Sequence, residues 1–253
     1  MKRILTTLLL LPSLVLAAKN IKLTEKNTIN FNQAFSDGFV SKKQIEAIDL
    51  CNSNPKTDIF VVLNTPGGSV SAGQLLYDTL HALPCFFHTI TIFSASMGYQ
   101  TVQNLGQRYI IPSGVLMSHR AKLGGLGGEI GGELDSILNF YKKSIEEMEI
   151  IAANRVGISL EKYRDEIKDE LWMTAEQSVE KGHADAIVLV NCDKSLLGSY
   201  TETMNTFFGQ LLVEFSKCPL ITAPLSVRGN NNIDLVKLNQ YIESLFKNIV
   251  TTL

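Results

Sequence analysis

Asp58-Ile-Phe-Val-Val-Leu-Asn-Thr-Pro-Gly-Gly-Ser69 is the stretch from which the fold is read. Ile59 to Leu63 form an unbroken apolar run, the pattern of a strand buried on both faces of a mainly parallel sheet. Pro66, Gly67 and Gly68 break it. Helical spacing resumes over Ser71–Leu83, with Leu75, Leu76, Leu80 and Leu83 sharing a face until Pro84 stops it. A buried strand handed to a helix through a glycine turn is the repeating unit of an α/β layered fold.

The alternation continues on both sides. Upstream, Ser41-Lys-Lys-Gln44 reads as a capping box opening a helix that carries Ile45, Ile48 and Leu50 and ends near Asn52–Pro55. Downstream, a strand over His88–Ser94 runs into Ala95-Ser-Met-Gly98 and a short helix reaching about Asn104. Tyr109–Ile111 and Gly114–Ser118 read as two strands joined by a Pro-Ser turn. Six of the 18 glycines fall between Gly124 and Gly132, ahead of the longest helical pattern, Leu134 to Ile151, which Gly157 ends. Ser159 can cap a further helix, Thr174-Ala-Glu-Gln177 is a second capping box, and Ala186–Val190 is the last core strand. From Asp193 the spacing suggests two more helices, Leu197–Lys217 and Asn232–Val250, hence a helical C-terminal extension over 193–253.

Composition bounds the rest. With 253 residues, 45% hydrophobic and 19% charged, the chain can bury a core, and disorder is excluded. A net charge of −2 without a Lys/Arg run gives little drive toward phosphate backbones, so no nucleic-acid partner is expected. Lys2 and Arg3, the apolar Ile4–Ala17 and the small pair Ala17-Ala18 read as a signal peptide over 1–18, cleaved near Ala17 or Ala18, with export to a periplasm or beyond. This apolar stretch is shorter than the roughly 20 residues of a membrane span. Four cysteines in an oxidising compartment can form two bridges. Cys51–Cys85 is preferred because each ends a helical pattern ahead of a strand, and Cys192–Cys218 because both flank the extension; buried free thiols are the open alternative. Neither Cys-x-x-Cys nor a histidine cluster points to a metal, and no cofactor is expected.

Hydrolysis of an acyl bond needs a nucleophile, a base and main-chain donors facing the developing charge. Ser96 stands where a strand becomes a helix, with the Met97 amide beside it. Thr65-Pro-Gly67-Gly68-Ser69 leaves the preceding strand at the same edge, so Gly68 and Met97 can form a two-donor oxyanion hole. Of the four histidines only His119 follows a strand directly, 23 residues beyond Ser96. Each signal alone has an ordinary structural explanation: a helix N-cap, a strand-to-helix turn, a packed histidine.

As a set, four segments resemble the Clp protease proteolytic subunit family, phage-type members included: Leu63–Gly73 with Tyr77-Asp-Thr79, Ser94-Ala-Ser-Met-Gly98, Val115-Leu-Met-Ser-His119, and Glu170–Glu176 with Gly182-His-Ala-Asp185. The resemblance spans roughly residues 28–190. It implies an α/β, crotonase-like spiral of ββα units with a long ring-stacking helix, over residues 19–192. It also implies a homo-oligomer of rings acting on peptides or unfolded proteins. By motif position Ser96 is the nucleophile, His119 the base, and Gly68 and Met97 the oxyanion amides. Gly67, Ser69 and Val70, with Gly124, Gly125 and Leu126 of the glycine-rich stretch, line the substrate path. The triad acid falls on Glu170, with Asp169 as the neighbouring candidate. Export separates the chain from ATP, so no unfoldase partner is expected. The rival readings are a Ser-Lys signal-peptide-peptidase-like protease using Lys122, Lys142 or Lys143, a non-catalytic scaffold of the same fold, and an acyl-CoA enzyme, which export disfavours.

Overall fold

A computed structural model describes residues 19–122, 132–206 and 209–229. Strands β1 (Lys19–Leu23) and β2 (Thr28–Phe31) precede helix α1 (Asp37–Ser53). Then come β3 (Asp58–Thr65), α2 (Val70–Ala82), β4 (Phe86–Ala95), α3 (Met97–Asn104) and β5 (Arg108–Ser118). After the long α4 (Glu133–Val156) follow α5 (Leu160–Glu166), β6 (Leu171–Thr174), α6 (Ala175–Glu180) and β7 (Ala186–Cys192). The strands make one sheet in the order β1-β7-β5-β4-β3-β2, parallel throughout, with β6 added antiparallel to β5. The expected α/β architecture is met.

The alternation within β3 explains the layering. Ile59, Val61 and Leu63 face a core shared with Val40 and Ala47 of α1, Leu76 and Leu80 of α2, Tyr99 and Val102 of α3, and Met148 of α4. Phe60 and Val62 face the opposite side, where Ile90, Tyr109 and Val188 meet Leu23 of β1 and Leu196 and Cys218 of the C-terminal region. Each such side chain contributes about 1.5–3 kcal/mol when fully buried, so both faces of the central strands must be covered.

Local signals were overridden in two places within this body. Helix α1 starts at Asp37 after Ser36, so Ser41 lies inside the helix and its capping box does not form. Packing of Phe39 and Phe35 on Phe31 sets the earlier start. The Thr174–Gln177 box does form, with both reciprocal hydrogen bonds. β5 is one strand: its pairing with β4 jumps from Thr91–Ile110 to Phe93–Val115, so Pro112 and Ser113 sit in a bulge instead of a turn.

The helical reading of Leu197–Lys217 is corrected. β8 (Ser199–Thr206), β9 (Gly209–Ser216) and β10 (Ser226–Gly229) form a separate three-stranded antiparallel sheet. Leu211 and Val213 are buried with Phe215 beside them while Leu212 is exposed, which is a period of two. The bridge Cys192–Cys218 fastens this sheet to β7, and Cys51–Cys85 ties the end of α1 to the start of β4, as preferred from the sequence. The Asn232–Val250 pattern, the 1–18 segment and Gly124, Gly125 and Leu126 lie outside the described residues. Helix α4 ends at Gly157 in the left-handed conformation and buries only residues from Met148 onward; Phe140 in its first half is 67% exposed.

Candidate active site

Because β3, β4 and β5 are parallel neighbours, the segments that leave their carboxyl ends meet at one edge of the sheet. There the chain turns from Ala95 into α3 through Ser96, whose φ of 56° is left-handed for a residue with a side chain. Its amide donates to the Met117 carbonyl at 3.0 Å, which fixes the turn against β5. One residue past the end of β5, His119 brings Nε2 to 2.8 Å from Ser96 Oγ.

Behind this pair lies a polar brace. Ser118 Oγ and Tyr163 Oη are 2.9 Å apart, and Gln100 Nε2 donates to the same phenol at 3.3 Å. All three residues are buried. Burial lowers the His119 pKa below its ordinary value, and the positive charge of Lys122 lowers it further, outweighing the opposite pull of Glu170 and the Arg120 backbone. The imidazole is therefore neutral at pH 7 and able to take a proton.

The Pro66-Gly67-Gly68 turn comes in from β3. Gly67 and Gly68 have φ of 96° and 141°. A Cβ on Gly67 would lie 2.6 Å from Ser96 Cβ, 2.7 Å from the Ala95 oxygen and 2.9 Å from the Met97 nitrogen, so only glycine permits this approach. Phe35 donates to the Gly67 carbonyl and accepts from Ser69, bracketing Gly68. Neither the Gly68 nor the Met97 amide has an acceptor among the described residues. Ser69 caps α2 by accepting from the Ala72 amide. Val70 joins Ser96, His119, Ala121 and Met148 around a cavity of about 30 Å³ beside the pair, with Gln100 and Glu149 supplying its polar wall.

Glu170 is placed by β6. The β5–β6 ladder ends at the Ser118–Leu171 pair, and Glu170, next to Leu171, leaves the strand with a left-handed φ of 66°. Its carboxylate turns elsewhere: Oε2 accepts from Trp172 Nε1 at 3.2 Å, and Oε1 lies 3.5 Å from Lys122 Nζ. The Trp172 bond, and then the charges of Lys122 and His119, hold the Glu170 pKa below the usual range despite some opposing desolvation. Among the described residues His119 Nδ1 is buried without a hydrogen-bond partner. Asp169 is exposed and makes no hydrogen bond among the described residues. Thus the fold unites Ser96, His119, Gly67, Gly68, Met97 and Val70, and leaves both acidic candidates off the imidazole. Lys122 faces Glu170, and Lys142 and Lys143 lie on the exposed side of α4. Sequence reading missed the Gln100–Tyr163–Ser118 brace; only the helical spacing that buries Tyr163 hinted at it.

A mostly parallel α/β sheet presenting a serine–histidine pair at its carboxyl edge, with two amides that have no acceptor among the described residues, defines the class of the molecule. The chain belongs to the Clp protease family, whose sequence pattern matches residues 17–191. It is 37% identical over 144 residues to ATP-dependent Clp protease proteolytic subunit 3 of Streptomyces coelicolor, covering 55% of this chain and 64% of that one. It is 33% identical over 134 residues to the proteolytic subunit of Streptococcus agalactiae, covering 52% and 68%. With subunit 2 of Tropheryma whipplei the identity is 29% over 171 residues, covering 66% and 93%. The chain thus spans less than two thirds of the Streptomyces relative it matches.

Proposed function

We propose that this chain is an exported serine endopeptidase that self-assembles and cleaves short or unfolded polypeptides without an ATP-driven partner. One observation carries the reading: the 2.8 Å contact between His119 Nε2 and Ser96 Oγ at the edge where the Gly67-Gly68 turn also arrives. In this mechanism Ser96 Oγ bonds to the scissile carbonyl carbon as its proton passes to His119 Nε2. The carbonyl oxygen, now negative, lies against the Gly68 and Met97 amides, each worth about 2.7–4 kcal/mol of barrier. His119 returns the proton to the amine as the C–N bond breaks. Water then gives a proton to His119 and attacks the acyl group, and Ser96 leaves with that proton restored. Glu170 is the residue that would orient the imidazole and stabilise its charged form.

Export is supported by the basic, apolar and small residues of the first 18 positions and by two disulfides, which suit an oxidising compartment. Assembly into rings is supported by apolar side chains that α4 leaves outside the monomer core, Phe140 in its first half and Ile151 in its second. The test is labelling by a fluorophosphonate probe followed by peptide mapping. An adduct at Ser96, absent in Ser96→Ala along with peptide cleavage, is expected, while the sedimentation of the variant stays unchanged. Cleavage by pure Ser96→Ala would overturn the assignment. The unpartnered Nδ1 favours a second reading, a scaffold without turnover, for which folded and oligomeric protein would give no adduct.

A further inference from the structure

Three facts around Glu170 fit one explanation. It directly precedes Leu171, the ladder partner of Ser118 beside His119; the imidazole atom that a triad acid would meet is buried without a partner among the described residues; and the carboxylate is held by two other groups. We infer that Lys122 and Trp172 are positioning residues that form a latch, holding the Glu170 carboxylate off His119 so that the chain rests with its triad open. This inference rests on the peptidase reading for its consequence in rate, but the latch itself is a statement about where one carboxylate points.

The latch is built asymmetrically. Trp172 is fixed: it stacks on Phe93, with ring centroids 6.3 Å apart, and pairs with Met117 in the ladder. Its indole N–H therefore stands at a set place for the carboxylate. Lys122, 78% exposed, adds a charge that solvent and salt weaken. Against these stands the buried Nδ1, whose lack of a partner is unfavourable and draws the same carboxylate.

Other groups near His119 leave the role to Glu170. Ser96 takes Nε2, and Gln100 and Glu149 face the cavity from α3 and α4. Glu149 is occupied by Arg164 Nε at 2.6 Å. Arg120 and Lys122 stand on the histidine's own segment. Glu170 is the remaining carboxylate whose charge reaches the ring.

The decisive variant is Trp172→Phe, which keeps the stacking on Phe93 and changes no charge. Nuclear magnetic resonance titration of His119 in the full chain, wild type against Trp172→Phe, is expected to move upward, because a carboxylate arriving at Nδ1 favours the imidazolium. A Ser96→Ala background gives the same readout with no turnover required. With a fluorogenic peptide, Lys122→Met is expected to raise kcat about fivefold, the worth of one exposed ion pair, without changing KM, while Lys122→Arg stays at the wild-type rate. In a Glu170→Gln background the Lys122→Met gain should vanish. An unmoved His119 titration in Trp172→Phe overturns the latch, and so does a Lys122→Met gain that persists without Glu170. Loss of Ser96 labelling in every variant would instead sink the peptidase reading and leave the titration to judge the latch.

Discussion

Gly67→Ala isolates how closely the glycine turn must approach the nucleophile. The added methyl would lie 2.6 Å from Ser96 Cβ, where two carbons rest comfortably at about 3.5–4.0 Å. Its other neighbours, the Ala95 oxygen and Met97 nitrogen, are backbone atoms of the same turn and cannot swing aside. The Pro66–Gly68 turn must therefore retreat by about 1 Å, and a φ of 96° adds strain of roughly 1–3 kcal/mol. That displacement withdraws the Gly68 amide from the developing oxyanion. Loss of one such donor lowers kcat about 10²–10³-fold, with KM changed far less. Steady-state cleavage of a fluorogenic peptide and the rate of fluorophosphonate labelling measure this, with thermal melting to confirm folding. Gly38→Ala is the control, since a methyl at that helical position meets nothing within 4 Å. A folded Gly67→Ala protein with kcat within threefold of wild type would refute the role given to this turn.

Two further outcomes concern stability. His183 is fully buried, its Nδ1 and the Tyr99 hydroxyl 2.7 Å apart, and burial, reinforced by the charges of Arg108 and Lys181, pushes its pKa down to about 4. Between pH 6.5 and 4 the unfolded chain binds a proton that the folded one refuses, so stability fully present above 6.5 falls by about 3 kcal/mol across that window. Denaturant unfolding at pH 7 and pH 4.5 should show this loss, and His183→Gln should flatten it. Asp185→Ala leaves Arg108, 6% exposed and held by both carboxylate oxygens through its side chain and amide, without its counter-charge. A destabilisation of about 3 kcal/mol in the same assay is expected; a loss below 1 kcal/mol would show that Gln103 and the Gly182 carbonyl suffice.

What could be read before any coordinates follows from how local each signal was. Ile59–Leu63, the glycine turn and the Ser96 and His119 positions are contiguous patterns, and contiguity is what a sequence displays. The start of α1 was not legible, because Ser36 and Ser41 both offer capping chemistry and the choice fell to the packing of Phe31, Phe35 and Phe39. In the C-terminal region, Leu211 and Phe215 satisfy a helix spacing and a strand spacing equally, and the exposure of Leu212 decided between them. Glu170 shows the same limit within the site. Its position two residues before Trp172 was readable, but the direction of its carboxylate depends on an indole and an ammonium brought together only by the folded chain.

The fastening of the small C-terminal sheet has a practical outcome. Besides the Cys192–Cys218 bond, its contacts with the body among the described residues include Asn32 with Tyr200, Gln33 with Glu202, Lys217 with Glu25, and the apolar Leu196 and Leu220. Made in a thiol-rich cytoplasm, the chain would lose that covalent tie and hold the tail by non-covalent contacts. The choice of expression host therefore decides which of two molecules a biochemist purifies.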